Sequence, residues 1–175
     1  VPGDQIIVSG EIADHGMAVM AARHQLDFDP PLMSDVAPLA AIAAAALAVP
    51  GGVKLMRDPT RGGIASTLNE WAAASGLPVL IDEAAVPVSP AIAAACALLG
   101  VDPFYVANEG KMLLLAAAGQ AKKVLAALRA LPQGAKAAII GELGAGRDQG
   151  VFARTRIGSQ RIVGMIDGEQ LPRIC

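Results

Sequence analysis

The sequence is poor in most of the residue types that assign a protein quickly. Aromatics are 3% of it, with one Trp, one Tyr and three Phe. Much of the apolar content is alanine, which buries little area per residue, so Leu, Ile, Val and Met must build the core. There is no basic excess: the net charge is -2 and the pI near 5.6, which excludes a strong field for nucleic acid. No apolar run approaches the ~18 residues of a membrane span. The stretch from Ala37 to Val49 is shorter, contains Pro38 and lacks the basic lead-in of a signal peptide. Only two cysteines occur, Cys96 and Cys175, which argues for a reducing cytoplasm rather than a disulfide framework. No His/Cys/Asp/Glu group has metal-ligand spacing, no serine sits in a nucleophile elbow, and there is no internal repeat or low-complexity linker.

What is present is an alternation of short strands and helices across 175 residues, with 54% hydrophobic and 17% charged content. Strands are expected at Gln5 to Ser9, Val53 to Met56, Pro78 to Ile81, Met112 to Ala117, Ala137 to Glu142, Val151 to Thr155 and Arg161 to Ile166. The last three read as antiparallel. Helices are expected at Met17 to Arg23 and at Val36 to Val49, the second capped by Ser34-Asp35. Ile64, Leu68, Trp71 and Ala72 share one face of a third helix that Gly76 stops. Ser89 caps a fourth with Pro90 in its first turn, and spacing points Cys96 into the core as a small hydrophobe. Gln120 to Leu131 is the fifth, and Phe104 to Ala107 reads as short and extended. The pattern suits helices packed on a mixed sheet, in an α/β or α+β sandwich.

Two polar phrases stand between these elements. Arg57-Asp58-Pro59-Thr60-Arg61-Gly62-Gly63 lies where a strand hands over to a helix, so free N–H groups, a hydroxyl and a guanidinium meet there. It reads equally as an anion site or as a glycine-built turn capped by Asp58. Asn108-Glu109-Gly110-Lys111 offers a carboxylate between two apolar strands. It is a candidate general base, or else an ordinary polar turn in which Lys111 is the neighbouring countercharge. His15, beside Asp14, is ambiguous between a structural and a chemical role.

The two ends stand out as well. The first residue is not Met, and the chain opens inside a strand-like phrase, so we expect a domain excised from something longer. The chain closes Leu171-Pro172-Arg173-Ile174-Cys175. The expected division is a body over residues 1–166 and a flexible tail over 167–175, whose nine residues extend to roughly 30 Å.

In this order, Gly3-Asp4 with Ile7-Val8-Ser9-Gly10, Asp14-His15-Gly16, Asp58-Pro59-Thr60-Arg61-Gly62-Gly63 and Asn108-Glu109-Gly110 resemble the C-terminal domain of the aminoimidazole ribonucleotide synthetase (PurM-like) superfamily. The terminal Pro172-Arg173-Ile174-Cys175 is similar to the ending of its HypE branch, the hydrogenase maturation proteins. The resemblance implies an α+β fold with a mixed, largely antiparallel sheet and flanking helices. It also implies a role in making the cyanide ligands of nickel–iron hydrogenase. HypF carbamoylates the terminal cysteine, here Cys175. ATP then drives dehydration of the thiocarboxamide to a thiocyanate, and the cyano group passes to a HypC–HypD complex. By the same resemblance Glu109 removes nitrogen protons, Asn108 orients the carboxamide, and Thr60, Arg61, Gly62 and Gly63 face the phosphates. ATP and magnesium are expected mainly on an N-terminal domain that also makes the homodimer, so this piece alone is expected to be inactive. The competing expectations are a binding and delivery module for the maturation partners, or another PurM-like synthetase.

Overall fold

A computed structural model of the chain describes residues 1–165. Its strands are β1 (Gln5–Val8), β2 (Val53–Arg57), β3 (Val79–Asp82), β4 (Leu113–Ala116), β5 (Ala138–Leu143), β6 (Val151–Arg154) and β7 (Gln160–Ile162). Its helices are α1 (Asp14–Arg23), α2 (Ala40–Leu47), α3 (Gly63–Ser75), α4 (Pro90–Leu99) and α5 (Ala121–Arg129). The strands form one sheet in the order β2-β4-β1-β5-β3-β6-β7. Every ladder in it is antiparallel except β3–β6, which is parallel. This is the mixed, largely antiparallel sheet with flanking helices that the resemblance implied.

The centre of the sheet is buried on both faces, and the sequence shows why. In β1, Ile6 and Val8 point to one core while Ile7 points to the other. β4 repeats the split, with Leu113 and Leu115 on the first side and Leu114 and Ala116 on the second. A strand covered on both faces needs an unbroken apolar run, and Leu113-Leu114-Leu115-Ala116 is one. The first core takes Met17 of α1, Ile64, Leu68 and Trp71 of α3, and Ile92 and Cys96 of α4. The second takes Ile42 and Ala46 of α2 with Ala121, Val124 and Leu128 of α5. Each fully buried Ile or Leu contributes on the order of 1.5–3 kcal/mol, and β1 and β4 supply such residues to both cores.

Several expected boundaries move, each for a visible reason. α1 starts at Asp14 rather than Met17, after Ala13 takes a left-handed turn (φ 76°). α2 starts at Ala40 rather than Val36. Pro38 keeps the residue before it out of helical geometry, and Asp35 is bonded elsewhere instead of capping a helix. Residues 103–105 form a 3-10 turn, not a strand, because Asp102 Oδ1 accepts from the Phe104 N–H at 2.9 Å and Pro103 opens the turn. The last three strands are not a simple antiparallel run, since β3 lies between β5 and β6. Cys175 and the expected tail lie outside the described residues.

Candidate functional site

The phrases that stood apart in the sequence meet around one buried amide. Asn108 is 0% exposed. Its Oδ1 accepts from the Ala13 N–H at 2.8 Å, and its Nδ2 donates to the carbonyls of Pro59 at 3.1 Å and Val106 at 3.0 Å. Its own N–H donates to Pro59 O at 3.2 Å. Beside it, the Gly16 N–H donates to Ala107 O at 3.1 Å. Asn108 therefore ties residues 13–16, residue 59 and residues 106–109 into one surface. Its backbone N–H and both side-chain N–H groups are committed to backbone carbonyls, so any influence on a ligand passes through the loops it holds.

Glu109 follows directly and stands half-buried at the edge of this knot. Its N–H donates to Asp35 Oδ1 at 3.3 Å, while its carboxylate has no partner among the described residues. Lys111 does not serve as the countercharge to Glu109: its Nζ binds Asp35 Oδ2 at 2.9 Å. Gly110 is required for this path, because a Cβ there would lie 1.7 Å from the Asp35 carbonyl oxygen.

The Thr60–Gly63 turn lies against the same loop. Gly62 (φ 70°) and Gly63 (φ 59°) both take left-handed geometry, and a Cβ on Gly63 would stand 2.5 Å from Phe104 O and 2.6 Å from Val106 O. The start of α3 has no side-chain cap; Gly63, Ile64 and Ala65 are buried, the Gly63 N–H donates to Thr60 O at 3.1 Å, and the positive end of the helix dipole lies at this turn. Arg57 is paired with Glu70, whereas Arg61 is exposed with no ion pair among the described residues. Of the two arginines in the phrase, Arg61 is the one available to an anion. Thr60 is half-buried. The groups here that suit a phosphate are the Thr60 hydroxyl, the Arg61 guanidinium and the positive end of α3.

Electrostatics mark a further group on this side. Burial pushes the Asp14 carboxyl up to about 6, with Asp35 and Glu11 adding repulsion and Lys111 and Lys136 opposing it. His15 Nδ1 meets Ser34 Oγ at 2.9 Å, so this histidine pins the segment that carries Asp35. Cys96 is buried, and burial with nearby Asp102 pushes its thiol up to about 11, as suits an inert core residue. Among the described residues no group of three or more His, Cys, Asp or Glu is arranged to hold a metal ion. Nor is any helix among them long and apolar enough to cross a membrane.

The last described stretch runs beside the site. Arg161 of β7 pairs with Glu83 and with Asp102 Oδ2 (2.9 Å) and lies 5.1 Å over the Phe104 ring. Asn69 of α3 donates to Val163 O at 2.8 Å, and Tyr105 Oη donates to Gly164 O at 3.1 Å. Residues 161–164 are thus fastened to α3 and to the 103–105 turn, the two elements that meet at Gly63. Sequence reasoning missed Asp35 and this anchorage. The available signal for Asp35 was Pro38, which argued against a helix starting at Val36.

A family model described as AIR synthase related protein, C-terminal domain, matches residues 1–154. Carbamoyl dehydratase HypE of Cupriavidus necator is 49% identical over 174 residues, which is 99% of this chain and 50% of the relative. A HypE solved in complex with ATP superposes with a TM-score of 0.92 at 40% identity, covering 100% of this chain and 53% of that one. The structure of a HypE–HypF complex matches with a TM-score of 0.90 at 40% identity, covering 95% and 54%. The chain spans about half the length of the curated relatives it matches.

Proposed function

The chain belongs to the AIR synthase related protein, C-terminal domain family, and from that premise we propose that it is the C-terminal half of an ATP-dependent carbamoyl dehydratase of hydrogenase maturation. The observation that carries this reading is the unpartnered Glu109 carboxylate at the edge of the Asn108 knot, next to the uncapped start of α3. The whole protein converts an S-carbamoyl group on Cys175 to a thiocyanate, which becomes a cyanide ligand of nickel–iron hydrogenase. HypF supplies the carbamoyl group, a HypC–HypD complex accepts the cyano group, and the site of action is the cytoplasm.

Converting S–C(=O)NH₂ to S–C≡N removes the oxygen and both nitrogen protons. ATP, when bound, supplies the activation that makes the oxygen a leaving group. Glu109 takes a nitrogen proton, for which an unpaired carboxylate at the rim of a partly desolvated loop is suited. Asn108 is a positioning residue that fixes Glu109 relative to the Thr60–Gly63 turn. Thr60, Arg61, Gly62 and Gly63 face the phosphates, while magnesium and most nucleotide contacts, with the homodimer interface, belong to the other half of the protein. Cys175 is a sound carrier because sulfur is nucleophilic and also leaves well. Ten residue-to-residue steps lead from Met165 to Cys175, a reach of roughly 33 Å at ~3.3 Å each. Residues 161–164, from which this tail continues, are fastened to α3 and to the 103–105 turn.

A second reading concerns the chain by itself. In this reading the chain taken alone is a docking and delivery module that is carbamoylated without turning over ATP. Intact-mass spectrometry tests both readings. The chain and a full-length counterpart are incubated with HypF, carbamoyl phosphate and ATP, each beside Cys175→Ala. A carbamoyl-sized gain that Cys175→Ala abolishes, followed in the longer protein by the loss of one water, supports the proposal. No gain in either protein sinks it. A gain in the short chain supports the module reading.

A further inference from the structure

Resting on the reading of Glu109 as the base, we propose that Asp35 is a positioning residue that holds Lys111 away from Glu109 and so keeps the base free of a countercharge. Lys111 lies only two residues beyond Glu109, and by sequence it is the natural partner. An ammonium within ~4–6 Å would favour the ionised carboxylate and make it a weaker base by ten- to a thousandfold.

The structure directs the lysine elsewhere. Its Nζ meets Asp35 Oδ2 at 2.9 Å, in a pair whose side chains are 13% and 3% exposed. The stem of Lys111 is also confined from the other side, since a Cβ on Gly10 would lie 3.0 Å from its Cε. Asp35 is delivered by its backbone, which crosses so close to residue 110 that only glycine fits there. The same carboxylate accepts the Glu109 N–H with its other oxygen, so a single side chain holds the loop and removes its cation. Ser34, next to Asp35, is held by His15. The other charges facing this pair are Asp14 at the start of α1, and Glu11 with Lys136, which bind each other at 2.8 Å. On its own loop the carboxylate open to a released Lys111 is Glu109, and Asp14 is the other carboxylate that it faces.

The test uses a protein of the relatives' full length that carries this chain. Asp35→Asn keeps an acceptor for the Glu109 N–H but releases Lys111. The expected result is a fall in kcat of about tenfold with the KM for ATP unchanged. Asp35→Asn with Lys111→Met removes both charges and is expected to restore kcat to within about twofold of the parent. A purely structural role for the pair predicts the opposite order, with the double variant no faster than the single one. A double variant as slow as Asp35→Asn, or an Asp35→Asn at the parent rate, overturns the proposal. Should Asp35→Asn fail to fold, the double variant decides alone, because a buried pair replaced as a unit is tolerated and a tenfold loss in it overturns the proposal. The crystal structure of Asp35→Asn gives a readout independent of rate, with Lys111 Nζ expected within about 4 Å of Glu109. Glu109→Gln at full rate would remove the base reading itself, and the position of Lys111 in that crystal structure would still decide whether Asp35 is what holds it.

Discussion

The Ala13 N–H and the Asn108 Oδ1 meet at 2.8 Å across 95 positions of sequence, wholly buried. This bond is the reason that a glycine-rich turn, the start of α1 and a carboxylate loop form a single surface. Each phrase alone is a turn like many others; the buried amide makes them a site.

Truncating that amide should therefore cost more than one ordinary hydrogen bond. Asn108→Ala leaves the Ala13 N–H and the carbonyls of Pro59 and Val106 without this partner, in a place water does not reach. With about 1–3 kcal/mol for a buried group left unsatisfied, and partial relaxation of the rest, the expected loss is about 2–4 kcal/mol. Urea unfolding of the chain measures it. A loss under about 1 kcal/mol would mean that Asn108 does not hold the three segments together.

Glycines at positive φ divide into two kinds, and substitution should separate them. Gly100 (φ 67°) ends α4 with nothing within 4 Å of an added Cβ, so Gly100→Ala meets only the left-handed penalty of about 1–2 kcal/mol. Gly63 (φ 59°) meets the same penalty and also places a Cβ 2.5 Å from Phe104 O. Because the obstacle is backbone, the 103–106 loop must move, and a loss beyond 3 kcal/mol is expected. Thermal unfolding of the two variants in parallel checks the contrast, and equal losses would refute the claim of close approach.

Much of this was legible beforehand, and the failures have physical causes. Ile64, Leu68, Trp71 and Ala72 repeat at helical spacing, and all four are buried on α3. Ser89-Pro90 read as a helix start, and Ser89 Oγ accepts from the Ile92 N–H at 3.3 Å. Local signals sufficed for these because their causes are local. Asp35 was misread as a cap because its partners, Glu109 and Lys111, lie more than 70 residues away. Asn108 was expected to orient a carboxamide, and its structural bonds stayed hidden for the same reason, since nothing near it in sequence reveals that Ala13 and Pro59 complete them. The order of β3, β5 and β6 in the sheet likewise depends on pairing between distant segments.

The half-buried carboxyl of Asp14 gives the molecule a pH dependence of unusual sign. Burial raises it from the ordinary 3.8 to about 6 in the folded chain. Between those values the folded state holds a proton that the unfolded state has already released. Stability then falls as pH rises through the window from about 4 to 6, and above it the folded chain bears an ionised, poorly solvated carboxylate. The full shift would be worth about 3 kcal/mol, but Asp14 is partly in water, and solvent screening reduces this to about 1–2 kcal/mol. Asp14→Asn should accordingly stabilise the chain by about 1–2 kcal/mol at pH 7.5 and by little at pH 4, where Asp14 is already neutral in the folded state. Urea titrations of both proteins at the two pH values measure this directly. An equal gain at both values would show that packing rather than ionisation is responsible, and a loss at pH 7.5 would show that the ionised carboxylate is held by the Lys111 and Lys136 charges more strongly than burial opposes it.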